Sequence, residues 1–115
     1  MGQYILGVDN GNTVSKAALF DLNGKEIANA SCKVDTEYPH AGWTERNMET
    51  LWESTACAIN DLLIKSGIRP EEIAGIGCTG HGNGVYLLDK KGRPLRNGIQ
   101  SMDTRAADIV KGWSD

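Results

Sequence analysis

The sequence predicts a mixed α/β fold, and three observations carry that prediction. Ile5-Leu6-Gly7-Val8-Asp9 is a mostly apolar run ending in an acid, and a short Gly/Asn/Thr turn joins it to a second apolar run, Ala17 to Phe20. Met48, Leu51, Trp52, Thr55, Ala56, Ile59, Leu62 and Leu63 recur at helical spacing. Ile73 to Thr79 then reads as a further buried strand. With 115 residues, the chain is one small domain or part of a larger protein. A chain of that size buries roughly 65% of its unfolded surface, enough for one core and too little for a two-lobed enzyme.

The elements follow in order. Strands are expected over about Tyr4 to Asp9, Ser15 to Asp21 and Lys25 to Asp35, with Asn23-Gly24 as the turn between the second and third. Glu37 to Asn47, with Pro39 and Gly42, reads as a loop. Asn47 is a good N-cap for a helix running to about Ser66, and Gly67 suits the position that ends it. Pro70 and Glu71 begin a short turn before the strand at Ile73. Val85 to Asp89 is expected to be a hairpin partner, Ile99 to Met102 to be extended, and Thr104 to Trp113 to be helical. Leu19 to Ile27 and Leu87 to Leu95 echo each other. Each places Asp at the start of a turn, Gly three later and a base next, which suits two independent type I turns.

Composition narrows the function classes. Apolar content of 40% and a charged fraction of 23% are ordinary for a soluble protein. A net charge of −3 gives no electrostatic case for nucleic acid or an anionic membrane. No apolar run approaches a membrane span, and Met1-Gly2-Gln3 leads into a strand without a signal peptide. Cys32, Cys57 and Cys78 are widely spaced, odd in number and without metal-ligand spacing. They read as reduced thiols of a cytoplasmic protein.

Three segments carry chemistry. The first is the hairpin tip. A buried strand delivers Asp9 to a turn rich in N–H and hydroxyl donors, which suits phosphate oxygens and a hydrated magnesium ion held by the carboxylate. Gly11 admits close approach of an anion, and Asn12, Thr13, Ser15 and Lys16 add donors. No GxxxxGK[ST] run precedes a helix, so this is not a P-loop. The competing reading is a plain hairpin turn. The second segment is Cys78-Thr79-Gly80-His81-Gly82-Asn83-Gly84, an open backbone in which His81 and Asn83 can donate to and accept from vicinal hydroxyls. A Gly-rich structural turn is its alternative. The third is Ser101-Met102-Asp103-Thr104-Arg105, where Asp103 either caps the last helix or serves a substrate.

The hairpin tip resembles the first phosphate motif of the actin/hexokinase/Hsp70 superfamily. The order of strand-Asp-x-Gly-x-Thr-x-Ser-Lys, then Gly42-Trp43-Thr44-Glu45-Arg46-Asn47, then Gly75 to Gly80, then Asp103-x-Arg105 is similar to the N-terminal region of the FGGY carbohydrate kinases. Within that family it looks more like the xylulokinase and L-xylulose kinase branch, since glycerol kinases carry an Arg-Glu pair where Gly82-Asn83 stands. Asn12 and Val14 depart from the usual phosphate motif, and Val14 removes a hydroxyl.

The resemblance implies a ribonuclease H-like (actin-like ATPase) fold, with residues 1–115 as the N-terminal part of a first lobe whose partner lobe lies outside this chain. It implies transfer of the γ-phosphoryl group of ATP to a hydroxyl of a pentose, ketose-type sugar or polyol. Asp9 would stand in the magnesium shell, the hairpin tip and Lys16 at the phosphates, and His81, Asn83, Asp103 and Arg105 at the sugar. The family's general base, an Asp, and its adenosine pocket are expected downstream. The chain alone is therefore expected to be inactive, and a homodimer is left open. A non-catalytic actin-like nucleotide-binding or assembly module is the alternative of a different class.

Overall fold

The computed structural model describes residues 2–114. The chain divides into two compact units, one built from residues up to 34 together with 49–81, the other from 35–48 together with 82 onward.

The first unit is a four-stranded sheet backed by one helix. Strands β1 (Tyr4–Asn10), β2 (Val14–Asp21) and β3 (Glu26–Lys33) form an antiparallel meander. Strand β5 (Ile73–Gly80) lies parallel to β1, so the sheet order is β3-β2-β1-β5. Leu6, Val8, Ala17 and Leu19 point to one face and meet Ala58 and Leu62 of helix α1 (Met48–Ser66), and together they make the core. Alternation follows from the strand period of two: Leu6 and Val8 are buried, so Gly7 and Asp9 must look the other way.

The expected elements of this unit are present with shifted ends. Lys25 belongs to the turn rather than to β3, because its N–H is held by the Asp21 carboxylate at 3.0 Å. Gly67 stands just beyond α1 with φ +71° and donates its N–H to the Leu63 carbonyl at 3.0 Å, as a helix-ending glycine should. The buried stripe of α1 is narrower than its periodicity implies. Thr55, Ala58 and Leu62 are buried, whereas Ala56 is exposed and Trp52 is 70% exposed. β5 is not the buried strand the apolar run suggested, since Ile76 is 63% exposed. It is the last strand in the order of the described sheet, and the core residues of α1 face β1 and β2.

The second unit has little regular structure. Strand β4 (Glu45–Arg46) pairs antiparallel with β6 (Gly98–Ile99), and helix α2 spans Ala107–Trp113. The segment Val85 to Asp89 is not a strand. It contributes only the single bridges Val85–Ile99 and Leu88–Pro94. The extended stretch expected at Ile99 to Met102 stops at Ile99, and the last helix begins three residues later than Thr104. The two echoing turns do share one construction. Asp21 accepts the N–H groups of Asn23 and Lys25, and Asp89 accepts those of Lys91 and Arg93, all within 2.8–3.0 Å. Gly24 and Gly92 occupy the left-handed region at φ +84° and +79°, which a three-residue hairpin turn with a bulge requires. Among the described residues no helix is long and apolar enough to cross a membrane.

Candidate active site

The exposed face of the first unit carries one chemical cluster. In the β1–β2 ladder Asp9 stands opposite Lys16, and in the β1–β5 ladder Asp9 stands beside Thr79. In-register neighbours share a face, so a carboxylate, an ammonium and a hydroxyl meet on the side away from α1. They line an open hollow of about 400 Å³ whose wall includes Gly7, Ala18, Phe20 and Gly77. Small residues keep this wall low: a Cβ added at Gly77 would meet nothing within 4 Å.

The hairpin tip is held from behind. Ser15 donates its hydroxyl to Asn10 Oδ1 at 3.0 Å, and Thr55 of α1 places its hydroxyl 2.9 Å from the same oxygen. Ser15 is completely buried, because it shares the helix-facing side with Ala17 and Leu19. Its hydroxyl therefore fixes the hairpin and is turned away from the hollow. Gly11 closes the turn by donating its N–H to the Val14 carbonyl at 3.0 Å, and an added Cβ there would lie 3.3 Å from that oxygen. The Thr13 carbonyl accepts the Val34 N–H, which leaves the exposed Thr13 side chain at the tip. Asn12 is half-buried beside it. His81 docks against the same hairpin: its backbone N–H donates to the Asn10 carbonyl at 3.1 Å, and its Nδ1 lies 3.2 Å from that oxygen.

In the second unit the Gly-Trp-x-Glu and Asp-x-Arg segments form one network. Asp103 accepts the Thr44 N–H at 2.8 Å, the Arg105 N–H at 2.9 Å, and the Arg105 Nε and Nη2 at 2.8 and 2.7 Å. Only 3% of its side chain is exposed. Those donors, led by the Arg105 side chain, hold its carboxyl well below the usual carboxylate range. Arg105 also reaches Glu45 Oε2 at 2.7 Å, which Arg96 shares at 2.7 Å, and its guanidinium lies 3.9 Å from the Trp43 ring centroid. Asp103 does not cap α2, whose N-cap is Ala106 and has no side-chain cap. Its carboxylate turns back onto its own loop instead. Asn83 is exposed and left-handed at φ +62°, the one positive φ among the described non-glycine residues. Two glycines near it have steric causes. A Cβ at Gly84 would fall 2.7 Å from the Tyr86 ring, and one at Gly80 would fall 3.2 Å from the Asn10 carbonyl. Gly82 has neither constraint.

Sequence reasoning singled out the Gly42 to Asn47 segment without seeing that it locks onto Asp103 and Arg105. Arg96 and Asn10 carried no signal, and Thr55 was marked only by its place in the helical stripe. Cys32 and Cys57, taken as separate thiols, are neighbours in space.

An α/β sheet of this topology, with an acid at the end of its first strand, belongs to the actin-like ATPase class. The comparisons narrow that class. Residues 4–115 match the model of the FGGY family of carbohydrate kinases, N-terminal domain, and the chain belongs to that family. It is similar to the L-xylulose/3-keto-L-gulonate kinase of Escherichia coli K12, with 42% identity over 115 residues, all of this chain and 23% of the relative. It is also similar to the glycerol kinase of Enterococcus casseliflavus, with 40% identity over 93% of this chain and 21% of the relative. Among solved structures, the xylulose kinase of Rhodospirillum rubrum superposes with a TM-score of 0.86 at 30% identity, covering 96% of this chain and 23% of that one. The chain thus spans about a quarter of the length of the curated relatives it matches.

Proposed function

We propose that the chain is the phosphate-binding part of the first lobe of an ATP-dependent kinase that phosphorylates a ketopentose-type sugar. The observation that carries this reading is the placement of Asp9 between Lys16 and Thr79 on a bare, solvent-facing hollow. A magnesium ion keeps most of its waters and takes one or two carboxylates. The exposed Asp9 carboxylate on an open wall fits that requirement. When bound, the ion supplies charge neutralisation for the phosphate chain.

The residues of the chain supply the remainder. Lys16 donates to phosphate oxygens as a mobile point charge. Asn12, Thr13 and the backbone of the tip add oriented donors. Ser15 and Thr55 hold Asn10 so that the tip is preorganised, which is the property electrostatic catalysis of phosphoryl transfer depends on. His81 secures the end of β5 to the hairpin through Asn10. In the second unit Asn83 offers an exposed amide to the sugar. Arg105, fixed by Asp103, Glu45 and Trp43, presents the remaining edge of its guanidinium, and Asp103 acts through Arg105 as a positioning residue. The preference for a ketose over glycerol rests on Gly82-Asn83, which stands where the resemblance to glycerol kinases would place an Arg-Glu pair.

The test is Asp9→Asn in the full-length protein. Removing one preorganised charge at the transferring phosphoryl group costs roughly 3–4 kcal/mol, so turnover should fall by about a hundredfold or more. The melting temperature should hardly move, because Asp9 is exposed. Turnover near that of the wild type at saturating magnesium would remove Asp9 from the reaction.

A further inference from the structure

We propose that Cys32 and Cys57 form a thiol-modification site, a vicinal pair that a small disulfide such as oxidised glutathione converts to an intramolecular disulfide tying β3 to α1. The two residues are 25 positions apart in the chain, yet their Sγ atoms lie 2.6 Å from each other. That puts the two sulfurs in direct contact across the packing of β3 against α1, within reach of a disulfide after small side-chain adjustment. Both cysteines are free. Cys57 is exposed and Cys32 half-buried, so an attacking reagent meets Cys57 first. Asp61, which lies beside both sulfurs, also lines an open hollow of about 490 Å³ with Asn29, Ser31 and Lys65.

The chemistry balances in two exchanges. The Cys57 thiolate attacks one sulfur of the small disulfide, forming a mixed disulfide and releasing one thiolate, which takes a proton from solvent. Cys32 then loses its proton to solvent, and its sulfur attacks Cys57 Sγ and expels the second small thiol. Two protein thiols are oxidised to one disulfide, and one small disulfide is reduced to two thiols.

The order of attack has a physical basis. The Cys32 thiol is pushed up to about 11, first by its hydrogen bond with Cys57, then by burial and the Asp61 carboxylate. Capping Cys57 in the first exchange removes the largest of those causes and frees Cys32 to react. Asp61 Oδ2 lies 3.8 Å from Cys32 Sγ and 3.7 Å from Cys57 Sγ, and its charge opposes thiolate formation at Cys32. The same three residues supply a potential metal-ligand set, and the zinc arm of the test below separates that outcome from the disulfide.

The test is incubation of the purified chain with oxidised glutathione, followed by thiol counting and peptide mapping without reductant. Free thiols should fall from three to one, with the Cys32 and Cys57 peptides joined and no retained glutathione. The oxidised form should melt roughly 10 °C higher, and reductant should reverse the shift. Cys78→Ser should leave closure intact. Cys57→Ser, at an exposed position, should fold normally and abolish it. Asp61→Asn should speed closure several-fold. Stable glutathione adducts on Cys57, or a bridge through Cys78, would overturn the proposal. Stoichiometric Zn²⁺ that survives gel filtration, protects both thiols and is lost in Cys57→Ser would overturn it in favour of a metal site.

Discussion

Replacing Asp103 by alanine should destabilise the second unit by about 3 kcal/mol. The magnitude follows from what the carboxylate holds. Thr44 is 7% exposed, and its N–H would lose the acceptor at 2.8 Å. A buried donor left unpaired costs about 1–3 kcal/mol. Arg105, with 18% of its side chain exposed, would lose both guanidinium contacts to Asp103 but keep Glu45 at 2.7 Å. That retained partner holds the second penalty to roughly 1–2 kcal/mol, below the full cost of stranding a buried ion. With a urea slope of about 1.5 kcal/mol/M, the midpoint should drop by about 2 M. Trp43 fluorescence reports the transition, in a background where the exposed Trp52 and Trp113 are changed to Phe. A midpoint shift below about 0.3 M would refute the reasoning. The pH dependence carries a second signature. The folded Asp103 carboxyl is held below its unfolded value of about 3.9. Its stabilisation is therefore complete above that pH and declines as pH falls towards the folded value. The stability gap between wild type and Asp103→Asn should be full at pH 7 and shrink below about pH 4.

Two further substitutions separate support from contact. Thr55→Val should cost about 1 kcal/mol and raise amide exchange at residues 11–14, because the hairpin loses its helix-side hydroxyl. Unchanged exchange there would show that the hydroxyl does not steady the tip. Asn83→Gly should leave stability equal or slightly higher, since glycine accepts φ +62° without strain, while the sugar KM in the full-length protein rises about tenfold or more. An unchanged sugar KM would take the Asn83 side chain out of sugar recognition.

The parts of this molecule that were legible in its sequence are those where a local pattern matches local structure. The β1–β2 hairpin, the 19-residue helix α1, the Gly67 terminus and the two Asp turns follow from alternation, helical spacing and turn chemistry. Trp52 misled because helical spacing marks a stripe and does not tell how wide a stripe the sheet covers. Ile76 is exposed because β5 is the last strand of the described sheet and α1 covers β1 and β2, which an apolar run alone does not reveal. Val85 to Asp89 has strand composition, but it forms only isolated bridges rather than a ladder. Asp9 and Lys16 could be placed on one face by counting. Ser15 sits on the opposite face by the same parity, and the donor-rich motif drew attention away from that count. The Asp103 network joins positions 59 and 60 residues apart through side chains, which no periodicity encodes.

Sugar-dependent phosphoryl transfer by the full-length protein is read out as ADP release in parallel reactions with L-xylulose, D-xylulose, glycerol and no sugar. The proposed function predicts ADP release that requires a sugar or polyol acceptor, most strongly a ketopentose, with one phosphorylated acceptor formed per ADP and little release without an acceptor. Nucleotide binding or hydrolysis indifferent to every sugar would contradict the account and favour a non-catalytic actin-like module.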